Sequence, residues 1–418
     1  MVRCPVASVN RPLRIALLSY RSKPHSGGQG VYVRHLSREL AALGHHVEVF
    51  SGQPYPELDD GPALREIPSL DLYRDDDPFR TPRPSEIRDW ADALETVMMW
   101  SGAFPEPLTF SIRALRELRR RPGEFDIVHD NQGLGYGMLG IPRLGPPLVT
   151  SIHHPITVDK RLDLDGLNWL KTLSRRRWYG FVRMQGKVAR RAGLLITVSE
   201  SSKNDICRDF RVQQKNVEIV PLGVDTRIFH PTDTPRITGR VVTVASSDHP
   251  LKGVSTMLRA FAKLVTERDA QLIVVGNPSE ETRKLAAQLS LNDTVTFVSG
   301  LPEQEYAKLL SSAEVAVVPS MYEGFSLPAL EHMASGTPLI ATTGGALPEV
   351  TNDAALLVNP GDPEELAATL RRLLDCPADR ETLARKGRSR VSERFAWPAV
   401  AAATAALYRK AINKEIGC

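Results

Sequence analysis

Two glutamates, Glu323 and Glu331, bracket seven mostly apolar residues in the stretch EGFSLPALE. A carboxylate half buried among apolar side chains is costly unless it is paired or hydrogen-bonded. The pair therefore reads in one of two ways. It is either two half-exposed charges favoured near a helix start, or two acceptors for the hydroxyls of a polar ligand. The preceding AEVAVVPS has the pattern of a buried strand, and Pro328 suits the first turn of a helix. Glu323 then falls in the loop past a strand's carboxyl end, with Glu331 about one turn inside the helix. Between them Gly324, Phe325, Ser326 and Leu327 can turn backbone N–H groups toward an anionic or polar ligand.

Other residues of suitable chemistry lie elsewhere. Lys252 ends SSDHPLK, which starts at Ser246 and follows the first strand pattern of the second half. A lysine there can meet a phosphate as a point charge, or it can be a solvated loop lysine. The loop SGGQG, with Gly28 at its centre, sits between a strand and a helix. Its glycines permit close backbone approach, but its spacing is not the GxGxxG of the dinucleotide fingerprint. A glycine turn with no ligand role fits it equally. His153 closes the strand pattern PLVTSIH, where a histidine is as often structural as functional. Asp130, Asn131 and Gln132 follow FDIVH and are polar enough to meet the hydroxyls of a bound ligand, or to tie a loop. Asp163 with Asp165, and the run Asp75 to Asp77, have no evident partner ligands and read as surface charges, with no metal required.

The elements that must position these groups alternate. LRIALLS, a glycine loop, a helical VYVRHLSRELAALG and the strand HHVEVFS make a βαβ unit at the start. Strand patterns follow at 125–129, 147–153 and 194–200, with helical patterns at 107–121 and over a long basic region, 167–192. Residues 53–90, rich in Pro and Asp, read as loop with short elements. Past PLGVD and HPTDTPRITG a second αβ series begins, with strands at 240–246, 270–276, 295–300, 313–320 and 337–343. The expected fold class is α/β, with two Rossmann-like domains facing a central cleft. We expect a flexible tail over 1–12, an N-terminal Rossmann-like domain over 13–221, a C-terminal Rossmann-like domain over 222–394, and a C-terminal helix over 395–418 that crosses back to the first.

Length and composition agree with this division. At 418 residues and 46.2 kDa the chain exceeds one comfortable core. A formal charge of +4 is too mild to argue for nucleic acid. The four cysteines are scattered, without metal or disulfide spacing, which suits a reducing cytoplasm. No run approaches the length of a membrane-spanning helix. Two basic stretches, 113–121 and 171–191, set a peripheral membrane contact against the commoner solvated helix face. The first reading adds the inner face of the membrane to the cytoplasm as a location.

The EGFSLPALE pair, the SGGQG loop, VSESSK, PLGVD, LKG and ASGTPLIAT with its GG loop occur in an order and spacing that resemble one family over nearly the whole chain. It is the retaining, nucleotide-sugar-dependent glycosyltransferases of family 4, which have the two-domain GT-B fold. The resemblance implies roles. Glu323 contacts the transferred sugar, Glu331 the ribose, and the amides of Gly324 to Leu327 the sugar and diphosphate. Lys252 neutralises the leaving diphosphate, Gly28 closes over it, and His153 lies on the sugar side. Ser246, on the donor side, stands where the family usually has an arginine, so either the charge that stabilises the leaving diphosphate is weaker or Lys252 carries most of it. The implied function is hexosyl transfer from a UDP- or GDP-sugar to a hydroxyl of a small polyol, glycan or lipid-linked acceptor. Neither cofactor nor metal is expected. The alternatives are a sugar-nucleotide epimerase of the same fold and a catalytically weak nucleotide-binding partner protein.

Overall fold

A computed structural model of the chain describes residues 11–23, 28–74, 76–153, 156–157, 160, 169–233, 235–245 and 249–416. Ser246, Asp75, Asp163, Asp165 and most of the expected N-terminal tail lie outside the described residues. The chain divides into two compact units. One holds residues 1–198, 202–220 and 401–418, and the other residues 199–201 and 221–400.

The first unit is built on a seven-stranded parallel sheet. Its strands are β1 (Arg14–Ser19), β2 (His46–Ser51), β3 (Ala63–Glu66), β4 (Ile127–Asn131), β5 (Leu148–Ser151), β6 (Leu194–Thr197) and β7 (Val217–Ile219). The order is β3-β2-β1-β4-β5-β6-β7. All five residues of β4 are buried, because helices cover both faces of such a sheet. That is why the strands read as continuous apolar runs rather than alternating ones. β3 is the exception: it is an edge strand with all four residues exposed. It lies inside the stretch expected to be loop with short elements, and its lack of a buried face left no pattern to place it.

The second unit repeats the plan with six parallel strands: β8 (Ile237–Val244), β9 (Gln271–Val275), β10 (Val295–Val298), β11 (Ala313–Val318), β12 (Leu339–Thr342) and β13 (Ala355–Val358). Their order is β10-β9-β8-β11-β12-β13. In each sheet the strand order reverses beside the unit's first strand, at β1/β4 and at β8/β11. Right-handed crossovers force successive helices to opposite faces there, and a crevice opens beyond the carboxyl ends of the strands.

Two further features bear on the site. The basic region 167–192 is not one helix: Trp169–Trp178 and Gly180–Ala189 are separated at Tyr179, which is buried in the core. The last helix, Trp397–Ile416, enters the first unit at Ala401. There the fully buried Tyr408 sets its hydroxyl 2.6 Å from Nδ1 of His129 in β4. Nε2 of His129 lies 2.6 Å from the Ser151 hydroxyl at the end of β5.

Candidate active site

In the second unit the groups gather past the carboxyl ends of β8 and β11, the pair at which the strand order reverses. Lys252 stands on a short 3-10 turn, Pro250–Lys252, after β8. Its Nζ donates to Glu323 Oε1 at 2.8 Å. The Ser320 hydroxyl donates to the same oxygen at 2.7 Å. Glu323 is buried, so an ammonium and a hydroxyl offset what its desolvation costs.

Backbone geometry holds this cluster. Met321 N–H donates to Leu251 O at 2.7 Å, joining the β11 loop to the lysine turn. Ala346 N–H donates to the carbonyl of Glu323 itself at 2.8 Å. Two glycines are required where loops touch. Gly253 has φ of +66°, and a Cβ there would lie 1.9 Å from Pro319 O. Gly345 has φ of +63°, and its Cβ would lie 2.2 Å from Glu323 O. Ser326, a non-glycine residue at φ of 92°, caps the helix Leu327–Ala334 by accepting from Ala329 N–H at 3.4 Å. Pro328 stands in that helix's first turn, and the positive end of the helix dipole favours an anion there.

Glu331 projects from the same helix but takes a different partner. The Tyr306 hydroxyl, from the helix Glu303–Ser311, donates to Glu331 Oε2 at 2.5 Å. Desolvation pushes the Glu331 carboxyl up to about 7, opposed by the tyrosine bond and helped by the negative charge of Glu303. Tyr306 is in turn pushed far above the usual phenol range, first by burial and then by Glu331.

In the first unit the residues past β4 and β5 bind one another. The Asp130 carboxylate is wholly buried and accepts from Gly133 N–H at 3.2 Å and Leu134 N–H at 2.8 Å. Burial pushes it up to about 6, against those two bonds. Gln132 Oε1 accepts from the backbone N–H of His153 at 2.9 Å. His153 Nε2 donates to Asn131 Oδ1 at 2.7 Å. The His153 ring meets Tyr32 edge-on, with centroids 4.4 Å apart, and desolvation lowers its titration to about 4. Nδ1 of the neutral ring and Nδ2 of Asn131 are both buried without a hydrogen-bond partner among the described residues. Two such atoms cost about 1–3 kcal/mol each unless a ligand or water satisfies them. Gly28 opens the helix Gly28–Ala42.

The structure thus brings Lys252 and Glu323 into one ion pair, places Glu331 on the helix that follows, and joins Asn131, Gln132 and His153 in a separate group. Sequence reasoning missed Ser320, Tyr306 and Tyr32. Ser320 lies three residues before Glu323 and was open to notice, whereas nothing in sequence spacing ties Tyr306 to Glu331. Among the described residues no group of three His, Cys, Asp or Glu side chains is placed to hold a metal ion. Asp76 and Asp77 lie 3.4 and 3.5 Å from Arg74.

Two Rossmann-like α/β units, each a parallel sheet whose strand order reverses beside its first strand, are the architecture of the GT-B fold. The chain belongs to the family-4/group-1 glycosyltransferases: residues 26–228 match Glycosyltransferase Family 4, and residues 232–390 match Glycosyl transferases group 1. It is 55% identical over 412 residues to the MMP alpha-(1->4)-mannosyltransferase of Mycolicibacterium hassiacum, covering 97% of this chain and 100% of that one. It is 29% identical to a D-inositol 3-phosphate glycosyltransferase of Streptomyces avermitilis, covering 98% of this chain and 91% of that one. Among solved structures, a sucrose-phosphate synthase from Thermosynechococcus elongatus superposes with a TM-score of 0.70 at 24% identity, over 95% of this chain and 98% of that one. That likeness concerns the fold.

Proposed function

We propose that the chain transfers a mannosyl group, with retention, from a nucleoside diphosphate mannose to a hydroxyl of a glycan acceptor, forming an α-(1→4) link. The carrying observation is the 55% identity across the whole length of a relative whose name states an α-(1→4) mannosyl transfer. The α link named there is what retention yields from an α-linked sugar nucleotide.

The site supports the chemistry. Lys252 and the first-turn amides of Leu327–Ala334 provide positive charge where a diphosphate would depart. In this reading a diphosphate competes with Glu323 for the lysine, and Glu323 turns to the sugar hydroxyls as a positioning and electrostatic group. The C1–phosphate bond breaks and the C1–acceptor oxygen bond forms on the same face. The acceptor proton passes to the leaving phosphate oxygen, so no protein base is needed. Glu331 holds the ribose. His153, through its unpartnered Nδ1, and Asn131, through Nδ2, meet sugar hydroxyls. Gly28, at the first turn of its helix, closes over the diphosphate. The reaction runs without a metal, in the cytoplasm.

The two basic stretches differ in how far their charges are paired. Arg113, Arg120 and Arg121 in the first basic stretch pair with Asp92, Glu95, Glu117, Glu48 and Glu124. Arg175, Arg176 and Arg177 in the second are exposed.

The test incubates the purified protein with GDP-mannose, UDP-glucose and UDP-N-acetylglucosamine against α-(1→4)-linked mannose oligosaccharides and inositol phosphate. Nucleotide release and product linkage are read by chromatography and NMR. We expect release only with the mannose donor and a mannoside, and an α product. Glu323→Gln should lower kcat by about 10²–10³. A β product, or consumption of the glucose donor alone, overturns the assignment.

A further inference from the structure

The helix Gly180–Ala189 gives its inner side to the core and its outer side to positive charge. Val182, Met184 and Val188 pack inward. Arg183 and Lys187 are exposed, as are Arg190, which caps the helix, and Arg191. Their spacing of four, seven and eight residues sets all four on one side at 3.6 residues per turn. Cations near a helix C-terminus complement its dipole, but cations this close also repel one another. Among the described residues no carboxylate pairs with any of them. This helix therefore carries a charge that its own protein leaves uncompensated.

The charge is also gathered into a cavity. Lys187, Arg190 and Arg191 line a space of about 530 Å³. Its remaining wall is Tyr136, 42% exposed, at the start of the 3-10 helix Tyr136–Gly140 that follows β4. The walls are anchored. Arg190 Nη1 donates to the Phe210 carbonyl at 2.7 Å, at the end of the helix Glu200–Phe210. Gln185 Nε2 donates to Gln132 O at 3.3 Å, which ties the basic helix to the loop leading to Tyr136. Three elements of the first unit thus build the space, and it differs from a row of side chains on one helix.

Uncompensated cations around a concave space favour an anion. The donors select among anions. A guanidinium offers parallel N–H groups that match two oxygens of a phosphate, and an ammonium adds a point charge. A phosphomonoester brings about two negative charges and three acceptor oxygens. A carboxylate brings one charge and two oxygens, too little for two guanidiniums, an ammonium and a phenol. The volume lies within the range of small-ligand cavities, about 300–1,000 Å³, so it has room for the group that bears the phosphate.

We propose that this cavity binds a phosphomonoester. Lys187 and Arg191 neutralise the phosphate, Arg190 presents the guanidinium that Phe210 O holds in place, and Tyr136 donates its hydroxyl. The bearer is a soluble sugar phosphate or a lipid headgroup with the same terminal phosphate. The cavity belongs to the first unit and Lys252 to the second, so the proposal holds whichever sugar the chain transfers.

The test is isothermal titration calorimetry with inorganic phosphate, on the full chain carrying Lys252→Ala to remove the donor-side cation. At about 0.15 M salt diffuse attraction between exposed charges is screened. Saturable binding of one phosphate per chain is expected. Adding Lys187→Ala or Arg191→Ala should raise the Kd at least about tenfold, as the loss of a hydrogen bond to a charged group does. Thermal unfolding without phosphate should not fall, because both side chains are exposed and repelled by their neighbours. Dimethyl phosphate, a diester with one charge, should bind at least about tenfold more weakly than inorganic phosphate. Absence of saturable binding overturns the proposal. So does a Kd unchanged by both alanine variants, or a diester that binds as tightly as inorganic phosphate. Flotation with phosphatidylcholine vesicles containing phosphatidic acid then identifies the bearer. Vesicle binding that Lys187→Ala abolishes supports the lipid, and phosphate binding without vesicle binding supports the soluble sugar phosphate.

Discussion

Glu331 is the residue whose chemistry departs furthest from what its type suggests. Its carboxyl titrates near 7 in the folded protein against an ordinary value of 4.5. Between those two pH values the folded state keeps a proton that the unfolded chain has released. Stability from this group therefore falls as pH rises from about 4.5, and the loss is complete above about 7. Glu331→Gln is neutral throughout and can still accept from Tyr306. Urea unfolding should show the variant near wild type at pH 4.5 and more stable by about 2 kcal/mol at pH 7.5, the full shift being discounted for remaining solvent contact. A difference that does not change with pH would remove desolvation as the cause. A bound polar ligand that donates to the carboxylate would reverse the trend, because it favours the ionised form.

At the scale of elements, the site depends on loops that touch at backbone distance. Strands β8, β11 and β12 end side by side, and their loops interlock through Leu251–Met321 and Glu323–Ala346 hydrogen bonds. Gly345 lets the β12 loop pass against Glu323 O at an angle a side chain rarely adopts. Gly345→Ala must move that carbonyl and strain φ, costing about 1–3 kcal/mol. It should lower kcat as well as the unfolding midpoint, since Glu323 moves with its own carbonyl. Retained kcat in a protein that is merely less stable would show that the loop contact serves stability alone.

At the scale of the whole molecule, the last helix returns to the first unit and sets Tyr408 beside His129 inside the sheet. The Tyr408 ring meets His129 edge-on at 5.6 Å. Burial holds His129 neutral, lowering its titration to about 3. Tyr408→Phe leaves one buried ring nitrogen without its partner and should cost about 1–3 kcal/mol. Tyr408→Ala adds a cavity and should cost about 3–5 kcal/mol. Both should appear as a lower midpoint for the transition that exposes the first unit, followed by the fluorescence of its tryptophans. Equal midpoints for Phe and Ala would show that the buried ring contributes nothing beyond its hydroxyl.

The sequence by itself determined the α/β class, most strands, and the loop and helix that carry Glu323 and Glu331. Buried parallel strands are short apolar runs between helical periods, and Pro328 marks a helix start without any tertiary context. The edge strand β3 and the break at Tyr179 were not legible, since neither alters the local apolar pattern in a way that names it. Only the tertiary structure decided the pairings: Lys252 with Glu323 across 71 residues, Tyr306 with Glu331, and Tyr408 with His129 across 279. It also decided that the helix Trp90–Trp100 turns its charges inward, because the inward side of an amphipathic helix is set by what meets it, and here that is Arg113. Local pattern reports propensity and period. The partner that makes a buried charge tolerable arrives from another part of the chain.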